Sequence, residues 1–322
     1  MKSGCKKLRL ILLPCALMIG LLPLAACARQ DMKGAMRATP AAPNSWPQML
    51  AAYQPWFGQK NHISVGYSSN DPVELQKQIA QAKNLGITGF VVNWYGPGNT
   101  FIDGNYALLQ NLAAKNDFKT AIQYDETVDS PGTSTDAVVS DLQYAYDHYI
   151  GPQAGPSRDA YLSYDGRPVI FIFPKDSGTD WNRVRQAVEA WPDPPLLITQ
   201  AYGGRYPDAF DGFYAWVNPG SDGWAPDGSH WGGRYLDNFY VTMTTRYPDK
   251  IAVGGAWPGF NDSKAAWTQN RHISPRCGKT FDETLRMFRA YYSDSHPLPL
   301  LMIDTWNDYE EGTAIERGLP KC

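Results

Sequence analysis

Close to its carboxyl-terminal end the chain reads LPLLMIDTWNDYEEGTAIE, from Leu298 to Glu316. An apolar run stops at a cluster in which rings and carboxylates alternate: Trp306, Asp308, Tyr309, Glu310 and Glu311. Asp308 and Glu311 stand three residues apart, so one short turn can hold both carboxyl groups near each other. Mutual repulsion and burial among rings then raise one pKa and leave the other group ionised. Such a pair suits cleavage of a glycosidic bond. One group protonates the leaving oxygen while the other assists attack at the sugar. The same spacing also occurs in solvated turns and at helix amino termini, so its meaning depends on the elements around it.

Those elements follow from patterning. Strand candidates at 48–57, 87–97, 118–127, 167–174, 194–202, 208–219 and 250–260 precede the run at Leu298. Stretches with helical spacing separate most of them, at 71–86, 105–116, 135–151, 181–191, 234–247 and 280–294. The first of these has an Asp-Pro start and a Gly stop. Runs of Val, Ile and Phe without clean alternation fit parallel strands buried on both faces. Eight strands over this length predict an α/β fold, a (β/α)8 TIM barrel in one domain. Only six residues follow Glu316, so no regular final helix is expected. A doubly wound sheet is the alternative, weakened because no glycine-rich phosphate fingerprint follows a strand.

A barrel carries its chemistry at the carboxyl ends of its strands. Trp56, Trp94, Trp216, Trp257 and Trp306 all fall there, as do Asp125 and Glu126. Aromatic faces suit the apolar faces of sugar rings, and indole N–H groups can bond hydroxyls. Capping of the barrel core is the other reading of these rings. The histidines are scattered, with no HExxH and no paired Cys–His spacing for zinc. No GxSxG elbow or phosphate loop occurs. Asp222 and Asp227 each precede Gly, as in ordinary turns.

The amino terminus has the layout of an export leader, with Lys2, Lys6, Lys7 and Arg9 ahead of an apolar stretch. Leu24-Ala25-Ala26-Cys27 resembles a bacterial lipobox, which implies lipidation of Cys27; an uncleaved membrane helix is the alternative. The expected organisation is a leader over 1–26, a proline-bearing tether over 27–47 and the barrel over 48–322. Loss of the four leader cations takes the formal charge from −3 to −7, which argues against nucleic acid as a partner. Cys277 and Cys322 are then the remaining thiols, and outside the cytoplasm they can pair or stay free.

The motifs together resemble glycoside hydrolase families 71 and 99. Family 71 carries a Trp-Asn-Asp-Tyr-Gly-Glu run, matched by Trp306-Asn307-Asp308-Tyr309. Family 99 carries a Glu-Gly-Thr after its aromatic residues, matched by Glu311-Gly312-Thr313. YQPWF (53–57), HISVGYSSNDP (62–72), NWYGP (93–97) and WPGFND (257–262) are similar to segments of the same group. The resemblance implies a barrel enzyme that cleaves an α-linked glycan, as an endo-α-mannosidase or an α-1,3-glucanase does, with retention of configuration. It places the catalytic carboxylates at Asp308 and Glu311. Glu311 would be the general acid and Asp308 its partner, although family 99 has Glu at the latter position. Trp306, Tyr309, Tyr53, Trp56, Trp94, Tyr214, Trp257, Asp125 and Glu126 are the expected sugar-binding residues. Arg271 and Arg276 are further candidates for hydroxyl or acidic-sugar contacts. No cofactor or metal is required. The expected setting is a lipid-anchored monomer of the cell envelope, periplasmic or surface-facing, with an oligo- or polysaccharide as its partner. A silent glycan-binding lipoprotein and an envelope polysaccharide assembly factor are the rival readings.

Overall fold

A computed structural model describes residues 47–126, 134–175, 178–220, 229–292 and 298–320. The leader, the lipobox Cys27, Asp222, Asp227 and Cys322 lie outside the described residues, as does the tether up to residue 46. Cys277 is disulfide-bonded.

Eight parallel strands close on themselves: β1 (Gln48–Tyr53), β2 (Gly89–Trp94), β3 (Lys119–Asp125), β4 (Arg167–Phe173), β5 (Leu196–Gln200), β6 (Gly212–Tyr214), β7 (Ile251–Ala256) and β8 (Leu300–Ile303). Each pairs with the next, and β8 returns to β1 in the register Gln48↔Leu300 to Ala51↔Ile303. Every residue of β2 is buried, as its continuous GFVVNW run requires of a strand covered on both faces.

Among the described residues six helices cover the ring: α1 (Pro72–Asn84), α2 (Thr100–Lys115), α3 (Thr135–Ala145), α4 (Trp181–Glu189), α5 (Gly233–Thr245) and α6 (Lys279–Tyr291). Their starts are written in the sequence. Asp71, Asn99, Ser134 and Asp180 each cap a helix by accepting a backbone N–H within its first turn. Gly254 lets α5 and α6 close on β7, because a Cβ there would lie 2.4 Å from the Phe288 ring. Two short 3-10 turns, Ala201–Gly203 and Pro207–Ala209, replace a helix between β5 and β6. Among the described residues no helix follows β8; the chain beyond it runs as turns to Pro320.

The expected elements recur with shifted ends: most are shorter, whereas α2 starts at Thr100, five residues before the expected 105. Two short ribbons escape the sequence pattern because each strand is only two residues long. One joins Ser163–Tyr164 to the start of β4, and the other pairs Phe260–Asn261 with His272–Ile273 beyond β7. The second ribbon matters for the site.

Candidate active site

Period-two alternation decides which strand-end residues reach the barrel mouth. At the ends of β1, β2 and β3 the pairs Gln54/Trp56, Asn93/Tyr95 and Gln123/Asp125 line a cavity of about 600 Å3. Residues one position out of phase turn outward to the helix layer. Tyr53 donates its hydroxyl to Gln78 of α1 at 2.8 Å, the Trp94 indole donates to Asp103 of α2 at 3.0 Å, and Tyr124 donates to Asp141 of α3 at 2.9 Å. The far wall of the cavity is built by Trp216, Tyr235, Phe260, Trp267 and Arg271, and Asp308 with Glu311 completes it.

Thr305 to Glu316 form the turn after β8, and the turn is fixed from several sides. The Asn307 side chain accepts from the Gln54 N–H at 2.7 Å and donates to the Gln54 carbonyl at 2.9 Å, so it acts as an extra strand partner for β1. Asp308 accepts the backbone N–H groups of Glu310 (3.0 Å) and Glu311 (2.8 Å) on one carboxyl oxygen. Gly312 has φ +65°, and a Cβ there would press on Asn261 of the second ribbon at 3.3 Å. The Asn261 N–H in turn donates to the Glu311 carbonyl at 2.7 Å.

Two carboxyl groups on this turn face the cavity with perturbed acidity. Burial pushes Asp308 well above the usual carboxylate range and the negative charge of Glu311 adds to it, against the two backbone donors. Burial also raises Glu311, whereas the Trp267 indole N–H at 2.9 Å and the Arg271 charge pull it down. The pair therefore holds a proton to higher pH than a solvated carboxylate would, and that proton belongs to both groups. Arg271 is aimed by Asp262, a fully buried carboxylate that accepts from the Arg271 side chain (2.8 Å) and backbone (2.9 Å), Gln269 N–H (3.1 Å) and Thr268 (3.0 Å). Burial alone would raise Asp262, but these donors outweigh it and hold it below its ordinary value.

Among the described residues, three atoms on cavity-lining side chains are buried without a hydrogen-bond partner: Gln54 Oε1, Trp56 Nε1 and Asn93 Oδ1. Unmatched buried donors and acceptors are costly. A ligand rich in hydroxyl groups supplies both kinds of partner.

Five expected site residues, Asp308, Glu311, Trp56, Asp125 and Arg271, line the cavity, and the others lie outside its lining. Trp306 is fully buried and packs on Phe90, with ring centroids 5.4 Å apart. Trp257 is fully buried, and its indole donates to the Trp231 carbonyl. Tyr214 lies inside the barrel, bonded to Gln123 and the Ile172 carbonyl. Tyr309 donates to Glu316 at 2.6 Å and lies under Arg317. Tyr53 and Trp94 belong to the helix layer, as above. Glu126 accepts from the Lys175 N–H and the Thr179 hydroxyl, outside the cavity. Arg276 pairs with Glu283 on α6. Trp56 keeps its place but is only 3% exposed, with His62 stacked on its ring at 4.8 Å. Asn93, Tyr95, Gln123, Gln54 and Trp267 were not anticipated. Polar residues at alternate positions of otherwise apolar strand ends were the available signal for the first four.

No protein-family model matches the chain. It is 24% identical over 286 residues to glycoprotein endo-alpha-1,2-mannosidase-like proteins of Mus musculus and Homo sapiens, and 22% identical over 275 residues to that of Danio rerio. These alignments cover 79% of this chain but only 56–58% of the relatives, so the chain spans little more than half their length. Among solved structures, a GH99 endo-alpha-mannosidase from Bacteroides thetaiotaomicron superposes with a TM-score of 0.65 at 19% identity, over 84% of this chain and 87% of that one. A glycoside hydrolase-like protein superposes with a TM-score of 0.60 at 16% identity, over 87% of this chain and 89% of that one. In fold, the chain is a (β/α)8 barrel similar to that of the family 99 endo-α-mannosidases.

Proposed function

We propose that this chain is a glycoside hydrolase that cleaves an α-linked glycan in the cavity at the carboxyl ends of its strands. The observation that carries the reading is the Asp308–Glu311 pair, two carboxyl groups raised by burial and held in the wall of a cavity with unmatched polar atoms. A general acid must keep its proton near the working pH, and burial with a neighbouring carboxylate is how a carboxyl group does so. Glu311 gives its proton to the leaving oxygen and later takes one from water. Asp308 takes up charge or a proton on the sugar side. Gln54, Trp56 and Asn93 match sugar hydroxyls.

The named relatives and the family 99 structure support an endo-α-mannosidase-like activity, and the resemblance of Trp306–Thr313 to families 71 and 99 extends the proposal to a related α-glucanase activity and to retention of configuration. The lipobox-like segment at Cys27 supports a lipid-anchored place on the bacterial cell envelope, and the chain is proposed to act as a monomer.

The test is digestion of α-mannan, α-1,3-glucan and other α-linked glycans by protein from residue 28 onward, with products resolved by mass. Fragments from one of them are expected. Glycan binding without fragments from any substrate would favour a silent binding lipoprotein on the same barrel.

A further inference from the structure

Trp267 is the cavity residue whose exposure and contacts disagree most. Its side chain is 41% exposed, among the most open large apolar residues described. Yet its indole N–H points inward and donates to Glu311 Oε1 at 2.9 Å. Its ring meets Trp56 edge-on at 5.9 Å and His62 edge-on at 6.3 Å. The segment that carries it is anchored at both ends. Asn261 holds the Glu311 carbonyl on one side, and the buried Asp262 gathers Thr268, Gln269 and Arg271 on the other. An indole left half in solvent contributes little to the core, so core packing does not account for this anchorage.

We propose that Trp267 is the positioning residue of Glu311: its N–H selects which carboxyl oxygen carries the transferable proton and sets the pH at which that proton is lost. An indole N–H only donates. The carbonyl oxygen of a neutral carboxyl is the better acceptor, so the indole favours Oε1 as the unprotonated oxygen, and when Glu311 holds the shared proton it sits on Oε2. When Oε2 passes its proton to the leaving oxygen, that oxygen's bond to the sugar carbon breaks while the sugar's 2-hydroxyl oxygen, giving its proton to Asp308, bonds to the same carbon. The negative charge left on the carboxylate spreads onto Oε1, where the indole already stands. In the second half water bonds to that carbon and displaces the 2-oxygen, which takes its proton back from Asp308, while Oε2 takes a proton from the water and the neutral acid returns. This role rests on the hydrolase reading for the reaction, but the pairing itself can be measured without substrate.

Trp267→Phe keeps a ring against Trp56 and His62 and removes only the donor. Trp267→Leu removes both. The titration of Glu311 is followed in ligand-free protein by NMR of 13Cδ-labelled glutamate, with Glu311→Gln identifying the signal. A donor to the ionised form lowers a carboxyl pKa, so its loss in Trp267→Phe should raise the Glu311 midpoint by about 0.5–1 pH unit. With an active glycan in hand, the alkaline limb of kcat/KM should move upward by the same amount. An unchanged or lowered midpoint in Trp267→Phe overturns the proposal, including the case where only Trp267→Leu alters the titration. Absence of cleavage by the wild type would sink the hydrolase reading and leave the titration to decide the role of Trp267.

Discussion

Asp304, at the end of β8, is fully buried. One of its oxygens accepts the Val217 N–H at 2.6 Å, while the other has no partner among the described residues. Burial drives its pKa well above the ordinary range, opposed by the Val217 N–H and reinforced by the charge of Glu311. The folded chain therefore keeps this carboxyl protonated where the unfolded chain, with an ordinary pKa of about 3.9, has lost the proton. The sign follows from linkage. A raised folded-state pKa gives a stabilising contribution that is complete below the unfolded pKa and is lost as pH rises toward the folded one. The slope is about 1.4 kcal/mol per pH unit, so two units above the unfolded pKa remove about 3 kcal/mol. Asparagine copies the neutral carboxyl in shape and does not titrate. In urea denaturation from pH 4 to pH 7, Asp304→Asn should gain stability relative to wild type by about 1.4 kcal/mol for each unit, until the folded carboxyl ionises and the difference levels off. Any constant offset from altered hydrogen bonding does not enter, because the slope is the readout. Parallel stability curves for the two proteins would refute the claim that a neutral carboxyl is buried there.

Asp262 has the opposite sign. Its lowered pKa stabilises the fold above the unfolded value, and this contribution disappears as pH falls through the folded one. Asp262→Asn should cost about 2–3 kcal/mol at neutral pH, discounted because Arg271 is partly exposed, and should lessen the loss of stability in acid; thermal melts at pH 3 and pH 7 check both. Glu310 faces away from the cavity, accepting from the Ile63 N–H at 3.1 Å and meeting His62 Nδ1 at 2.8 Å. Glu310→Gln should therefore destabilise by about 1–3 kcal/mol while leaving kcat within roughly tenfold of wild type; a loss as large as that at Glu311 would contradict the separation of the two acids. Non-reducing peptide mapping should show Cys277 linked to Cys322, and linkage to any other cysteine would contradict the expected pairing.

The strands were legible because parallel barrel strands need apolar side chains on both faces, and runs such as PVIFIF satisfy that condition locally. The site was legible only in part. Asp308 and Glu311 lie in a turn whose own spacing places them, whereas the aromatic residues depend on strand phase. Trp94 and Tyr95 are neighbours in sequence, yet the first bonds α2 and the second lines the cavity. Nothing in a short apolar run says which phase faces inward until its partner strands are known. Trp267 was hidden for another reason. It lies eleven residues past the end of β7, at Ala256, and comes to Glu311 because a four-residue ribbon and Asp262 fold its segment back.

The central claim is that Asp308 and Glu311 together break a glycosidic bond. The measurement that bears on it most directly is kcat/KM of wild type, Glu311→Gln and Asp308→Asn on whichever α-linked glycan the wild type cleaves, with urea denaturation run alongside. Both substitutions should lower the rate by about 10²-fold or more while leaving each protein folded. A folded variant of either kind that cleaves at close to the wild-type rate would contradict the account.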